Sequence, residues 1–114
     1  MAQKVVLRCK DVVMPATLDD TPAAGVVASN LPITGLAQTR GAEVFFFVDL
    51  PVVTESLTEE APPGTIAYWP AGSAICIFYG GTPVTPVEPI GKLDGDPDDW
   101  RSVISGDEIT MEKV

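Results

Sequence analysis

Gly64-Thr65-Ile66-Ala67-Tyr68-Trp69-Pro70-Ala71-Gly72-Ser73-Ala74-Ile75-Cys76-Ile77-Phe78-Tyr79-Gly80-Gly81-Thr82-Pro83 is the stretch that decides the fold. Two runs rich in β-branched and aromatic residues, Gly64 to Trp69 and Ala74 to Tyr79, flank the turn-forming Pro70-Ala71-Gly72-Ser73. This pattern predicts two strands joined as a hairpin, which Gly80-Gly81-Thr82-Pro83 then ends. Tyr68 and Trp69 are neighbours in one strand, so they point to opposite faces. One is expected in the core and the other toward a groove beside the turn, where a polar-tipped ring is suited to a half-open site.

Upstream, Glu43 to Asp49 is the strongest strand signal. Val44-Phe45-Phe46-Phe47-Val48 is apolar on both faces, which predicts a strand with one side inside a barrel and the other under a helix or lining a cleft. All three phenylalanines are expected mainly in the core. Gln38 to Arg40 reads as extended, and Gly41-Ala42 as a bend. At the N-terminus, Lys4 to Lys10 alternates, with Val5, Leu7 and Cys9 on one side. A second short extended piece, Ala16 to Leu18, is expected to pair with it across a turn near Met14-Pro15. Asp19-Asp20-Thr21-Pro22 is a helix start, with a cap and proline at the first helical position. Ala23, Ala24, Val26, Val27 and Leu31 form the apolar stripe, Gly25 allows close packing, and Pro32 stops the helix.

Downstream, Glu55 to Pro63 is an acidic connection and Pro89 to Leu93 a short strand. Asp96-Pro97-Asp98-Asp99 repeats the helix-start logic ahead of a short helix through Trp100 to Val103. Glu108 to Val114 alternates, with Ile109 and Met111 inward, and closes the sheet. Many short strands in one small domain must hide their edges, and barrel closure does that. The expected fold is a single domain over residues 1–114: a closed, antiparallel, eight-stranded β-barrel capped by two helices.

Composition narrows the chemistry. The 114 residues carry a net charge of −9, which disfavours nucleic acid and anionic membrane as partners, since phosphates need Lys and Arg. No apolar run approaches the roughly 18–20 residues that span a bilayer. No signal peptide is apparent, and the expected compartment is the cytoplasm. There is no histidine. That removes Ser-His and Cys-His nucleophile pairs, the usual base near neutral pH and the commonest metal ligand. Cys9 and Cys76 have no metal-ligand spacing and are expected free and buried. Asp94-Gly95-Asp96-Pro97-Asp98-Asp99 has the spacing of a calcium loop, but Pro97 and the missing distal glutamate break the pattern, so a capped helix start is the better reading. Gly80-Gly81 is a lone pair in a turn, not a phosphate loop. Neither a metal nor a cofactor is expected.

The order of elements and several local runs resemble cyclophilins. Pro63-Gly64-Thr65-Ile66-Ala67-Tyr68-Trp69-Pro70-Ala71-Gly72 is similar to P-G-x-L-S-M-A-N-A-G. Ile90-Gly91-Lys92-Leu93 with Gly95 is similar to F-G-K-V-x-x-G, and Glu108-Ile109-Thr110-Met111 to the closing K-I-T-I. Over nearly the whole chain the sequence looks more like a divergent prokaryotic group of cyclophilin-like proteins of unknown function. That group carries G-D-E-I-Y-F and G-D-I-A-Y-W-P-P-G-x-A-L-C-I-F-F-G-x-T-P where this chain has Gly41 to Phe46 and Gly64 to Pro83.

The resemblance implies a cyclophilin-type groove between the Arg40–Phe47 strand and the Tyr68–Tyr79 hairpin. Its ligand-binding residues would be Arg40, Glu43, Phe45, Tyr68, Trp69, Ile77 and Tyr79, and its ligand a small molecule or an extended peptide segment. Prolyl isomerisation must lower a barrier of roughly 18–20 kcal/mol set by amide resonance. It needs a donor aimed at the proline nitrogen and an apolar slot for the ring. Arg40 stands where cyclophilins place that arginine, and is the one candidate catalytic residue. However, Val44-Phe45-Phe46-Phe47 replaces their F-M-x-Q run, Ile77 replaces a pocket phenylalanine, and the loop after Tyr79 lacks their tryptophan and histidine. The leading expectation is therefore a binding domain without efficient isomerase activity. The alternatives are a weak or specialised prolyl isomerase using Arg40, and an enzyme of unknown reaction with Glu43 as base. Whether any catalysis occurs stays open at this point, because fold alone does not imply function.

Overall fold

The computed structural model describes residues 2–114. Nine antiparallel strands form one sheet: β1 (Gln3–Cys9), β2 (Val12–Leu18), β3 (Ile33–Leu36), β4 (Gln38–Arg40), β5 (Glu43–Phe47), β6 (Thr65–Trp69), β7 (Ala74–Phe78), β8 (Glu88–Leu93) and β9 (Glu108–Lys113). The order across the sheet is β3-β9-β1-β2-β8-β6-β7-β5-β4. The two outermost strands, β3 and β4, are consecutive in the chain with only Ala37 between them. One extended segment therefore bonds to β9 with its first half and to β5 with its second, joining both edges of the sheet into a nearly closed barrel. This corrects the expected eight strands to nine: Ile33–Leu36, not expected as a strand, precedes Gln38–Arg40, and the two span the seam on either side of Ala37. Gly35 lets the seam close, since a Cβ there would come within 3.1 Å of the Phe46 ring.

The first hairpin is longer than expected. β1 and β2 pair over their full length, and the turn falls at Lys10-Asp11 rather than at Met14-Pro15. Lys10 takes the left-handed conformation there, with φ 53°. Pro15 sits inside β2 opposite Val6. Its carbonyl accepts from the Asp94 N–H, just beyond the last β2–β8 pair at Ala16 and Leu93. A residue's N–H and C=O point to the same side of a strand, so the missing donor falls where the ladder ends.

The single α-helix among the described residues, α1 (Pro22–Ser29), is capped by Thr21, whose hydroxyl accepts from the Ala24 N–H. Asp19 and Asp20 precede the cap instead of occupying the first turn. Ala23, Ala24 and Val27 face the core, whereas Gly25 is exposed with open space around it, so it serves no close packing. The second expected helix is a 3-10 helix, Pro97–Ser102, capped by the Asp96 carboxylate on the Asp98 N–H. Its Trp100 is fully buried, with its indole N–H directed at Met14 Sδ. No helix among the described residues is long and apolar enough to cross a membrane.

Two apolar clusters result. The barrel interior holds Leu7, Leu18, Phe46, Ile66, Ile75, Ile109 and their neighbours. The second cluster lies on the outer face of β5, β7 and β6, where Phe45, Ala67, Ala74, Cys76 and Phe78 pack with Ala61 and Val87. These three strands are apolar on both sides because the connection between β5 and β6 crosses their outer face as a strap. Glu88, 4% exposed, holds it: its carboxylate accepts from the N–H groups of Glu55 and Ser56. A backbone bridge between Thr58 and Val87 adds to this tie. The cover expected to be a helix or a cleft is thus mostly a loop. Phe47 departs from the expected core placement and is 56% exposed at the strand end.

Candidate functional site

Glu43, Phe45 and Phe47 alternate along the outer side of β5, and Arg40 reaches this face from the end of β4, directly opposite Glu43 in the ladder. The Arg40 Nε donates to Glu43 Oε1 at 3.4 Å, and Nη2 donates to Oε1 at 3.3 Å and Oε2 at 3.4 Å. Glu43 is 2% exposed, while the arginine side chain is 34% exposed. Arg40, at the end of β4, thus lies over a buried carboxylate. Its guanidinium carbon is 4.9 Å from the Phe45 ring centroid and 4.7 Å from that of Trp69. The two rings meet edge to face at 5.7 Å, and Phe45 meets Phe47 in the same way at 5.7 Å.

Trp69 is held as firmly. Gly72 leaves room for its indole, since a Cβ there would fall 2.2 Å from the ring, and Trp69 Nε1 donates to Thr85 Oγ1. The Pro-Ala-Gly turn thereby fixes the ring that stands over Arg40. The site is a planar cation lodged against two aromatic faces, with a carboxylate beneath it and an exposed phenylalanine beside it. Among the described residues, Nη1 is the edge of the guanidinium with no hydrogen-bond partner.

Arg40, Glu43, Phe45 and Trp69 therefore come together. Tyr68 and Ile77 lie in the barrel interior. Tyr79 is at the strand end, donating to the Gly41 carbonyl at 3.3 Å, with Arg101 5.5 Å from its ring centroid. Three further residues belong to the site: Phe47, Gly72 and Thr85. Gly72 had a sequence signal in the turn motif, and Phe47 in its place two residues from Phe45 on one strand face; Thr85 comes from a loop whose course no local pattern specifies. Cys76 lies on the same outer face, where burial, and then the Glu43 carboxylate beside it, push its thiol far up, a state that suppresses the reactive thiolate.

A nearly closed antiparallel barrel with one helix packed on it is the architecture of a cyclophilin-like domain. Residues 3–112 match the family model described as cyclophilin-like, and the chain belongs to that family. The hypothetical protein AF2241 from Archaeoglobus fulgidus has a similar solution structure, with a TM-score of 0.82 and 23% sequence identity over 98% of this chain and 95% of that one. McbB, in a structure in complex with tryptophan, superposes with a TM-score of 0.71 at 14% identity, covering 96% of this chain and 44% of McbB. These identities show a shared fold only. No curated protein matches the sequence.

Proposed function

We propose that this is a binding domain that holds a small molecule or a short extended peptide segment on the outer face of the barrel, at Arg40, Phe45 and Trp69. The observation that carries it is the immobilised guanidinium. Two ring faces and a buried carboxylate orient it, so little side-chain entropy is lost when Nη1 donates to a ligand. Glu43 matches its charge, which favours a neutral carbonyl over a free carboxylate. Phe47, Phe45 and Trp69 supply the apolar wall. Because the similarly folded McbB is in complex with tryptophan, aromatic amino acids belong in the ligand panel.

The same pairing weighs against the two enzymatic alternatives. A guanidinium whose charge is matched by a carboxylate draws less electron density from a proline nitrogen. Glu43 as a base would have to reach substrate from beneath Arg40 while nearly solvent-free.

Trp69 reports on the site, because Trp100 is fully buried. Titration with phenylalanine, other non-indole amino acids and short blocked peptides with and without proline is expected to give a saturable emission change, and tryptophan, which emits in the same band, is followed by melting temperature instead. The change should disappear in Trp69→Phe, and affinity should fall about ten-fold or more in Arg40→Met, measured well below that variant's melting temperature. If no member of the panel moves Trp69 emission or raises the melting temperature, the groove is not a binding site. A protease-coupled isomerisation assay that shows a rate gain dependent on Arg40 would make the domain an isomerase instead.

A further inference from the structure

A cleft of about 500 Å³ opens on the outer face at the Thr65 end of β6, opposite the Trp69 end. Four residues of strand place the two sites about 13 Å apart. The outer-face cluster containing Ala61 of the strap and Ala67 of β6 lies between them. Pro62, Pro63 and Pro97 wall the cleft, and Asp19, Glu60 and Lys92 give it charge. Proline has a fixed φ and no N–H, so these walls are stiff, apolar and without donors.

The strand register explains how the charges meet. Lys92 stands opposite Thr17 of β2 on one side and Thr65 of β6 on the other, so these side chains share a face. Asp19 lies two residues beyond Thr17 on that same face, diagonal to Lys92. Lys4, Arg8, Lys10, Arg40 and Arg101 each pair with a carboxylate, whereas Lys92 and Lys113 have no ion pair among the described residues, and of these two it is Lys92 that lines the cleft. Several nearby backbone donors are already used: Asp19 N–H bonds the Ile90 carbonyl, Thr65 N–H that of Pro62 and Leu93 N–H that of Gly64. The charge in the cleft comes from the side chains of Asp19, Glu60 and Lys92.

One ammonium and two carboxylates around an apolar slot match a molecule bearing both charges. We infer that the cleft takes a free α-amino acid, its carboxylate on Lys92, its ammonium toward Asp19 and Glu60, and its side chain along the prolines. The volume suits such a ligand, since small-molecule sites run to about 300–1,000 Å³. This second site does not depend on the Arg40 groove.

The test is amide chemical-shift titration of the ¹⁵N-labelled chain with L-leucine, L-proline and L-phenylalanine, with L-leucinamide and N-acetyl-L-leucine as single-charge controls. At least one amino acid is expected to shift the amides of Gly64, Thr65, Gly91 and Lys92. Both controls, tested against L-leucine, and the Lys92→Met variant should bind about ten-fold or more weakly. Unchanged Phe45 and Trp69 amides in the variant report an intact fold. The inference is overturned if none of the three amino acids moves those amides at about 10 mM, about ten-thousand-fold above a micromolar Kd. It is also overturned if either control matches L-leucine, or if Lys92→Met binds as the wild type does. Shifts confined to Arg40, Phe45 and Trp69 would support the groove and remove the cleft.

Discussion

Replacing Arg40 with methionine keeps an aliphatic stem over the rings and deletes the cation. Glu43, 2% exposed, then retains a carboxylate without its counter-charge. Breaking a buried ion pair from one side costs about 3–5 kcal/mol. This pair falls below that range: its contacts are long, at 3.3–3.4 Å, and the 34% exposure of Arg40 lets water screen the vacated site. About 2 kcal/mol is the figure that remains after that screening. Each ring also loses a cation–π contact worth about 0.5–1 kcal/mol. The expected destabilisation is about 3–4 kcal/mol in urea unfolding, or about 12–16 °C in melting temperature at this chain length. Glu43→Gln in the same background should restore part of it, giving a coupling energy of about 2 kcal/mol in the double-mutant cycle. An Arg40→Met protein within about 1 kcal/mol of wild type, or a coupling below about 0.5 kcal/mol, would refute the claim that the guanidinium holds a buried carboxylate.

Glu88→Ala removes the acceptor for two strap N–H groups and is expected to cost about 2–3 kcal/mol. Hydrogen exchange should quicken first at Ser56 and Thr58, and a uniform loss of protection would mean that the strap is not a separate unit. The Ile104 N–H, and after it Lys10, hold the Asp107 carboxyl below its ordinary value of 3.8. A depressed carboxyl stabilises the fold above its unfolded-state pKa, and that stability is lost as pH falls through the folded value. The stability gap between wild type and Asp107→Asn should be constant above about pH 5 and shrink below about pH 4; a gap that widens on acidification would reverse the sign. Gly25→Ala, at an exposed helical position with open space around it, is expected to stabilise the protein by about 0.5–1 kcal/mol in chemical unfolding. A destabilised variant would show that the site is more crowded than it stands.

Local chemistry marked out most strands and both helical starts. Alternation in β1 and β9, the Pro-Ala-Gly-Ser turn, and the proline at the first position of α1 are all short-range signals. β3 was missed because Ile33-Thr34-Gly35-Leu36 is too short to alternate and follows a proline that reads as a stop. The turn near Pro15 was misplaced because proline usually breaks a ladder, and only the position of β8 shows that here its missing donor falls at the end of one. The run of phenylalanines in β5 was rightly expected to be covered on both sides over most of its length. The strap that covers it is anchored by Glu88, 33 residues from Glu55.

The order of residues alone was enough for a small all-β barrel with an arginine preceding an aromatic strand, because period-two patterning and turn chemistry act between near neighbours. Which side chains surround that arginine was decided only when β4, β5 and β6 were brought together. A residue in the middle of a strand meets its partners through cross-strand register, and register depends on the closure of the whole sheet. That is why Glu43 is a buried counter-charge and Phe47 an exposed ring, although both stand on one face of one strand.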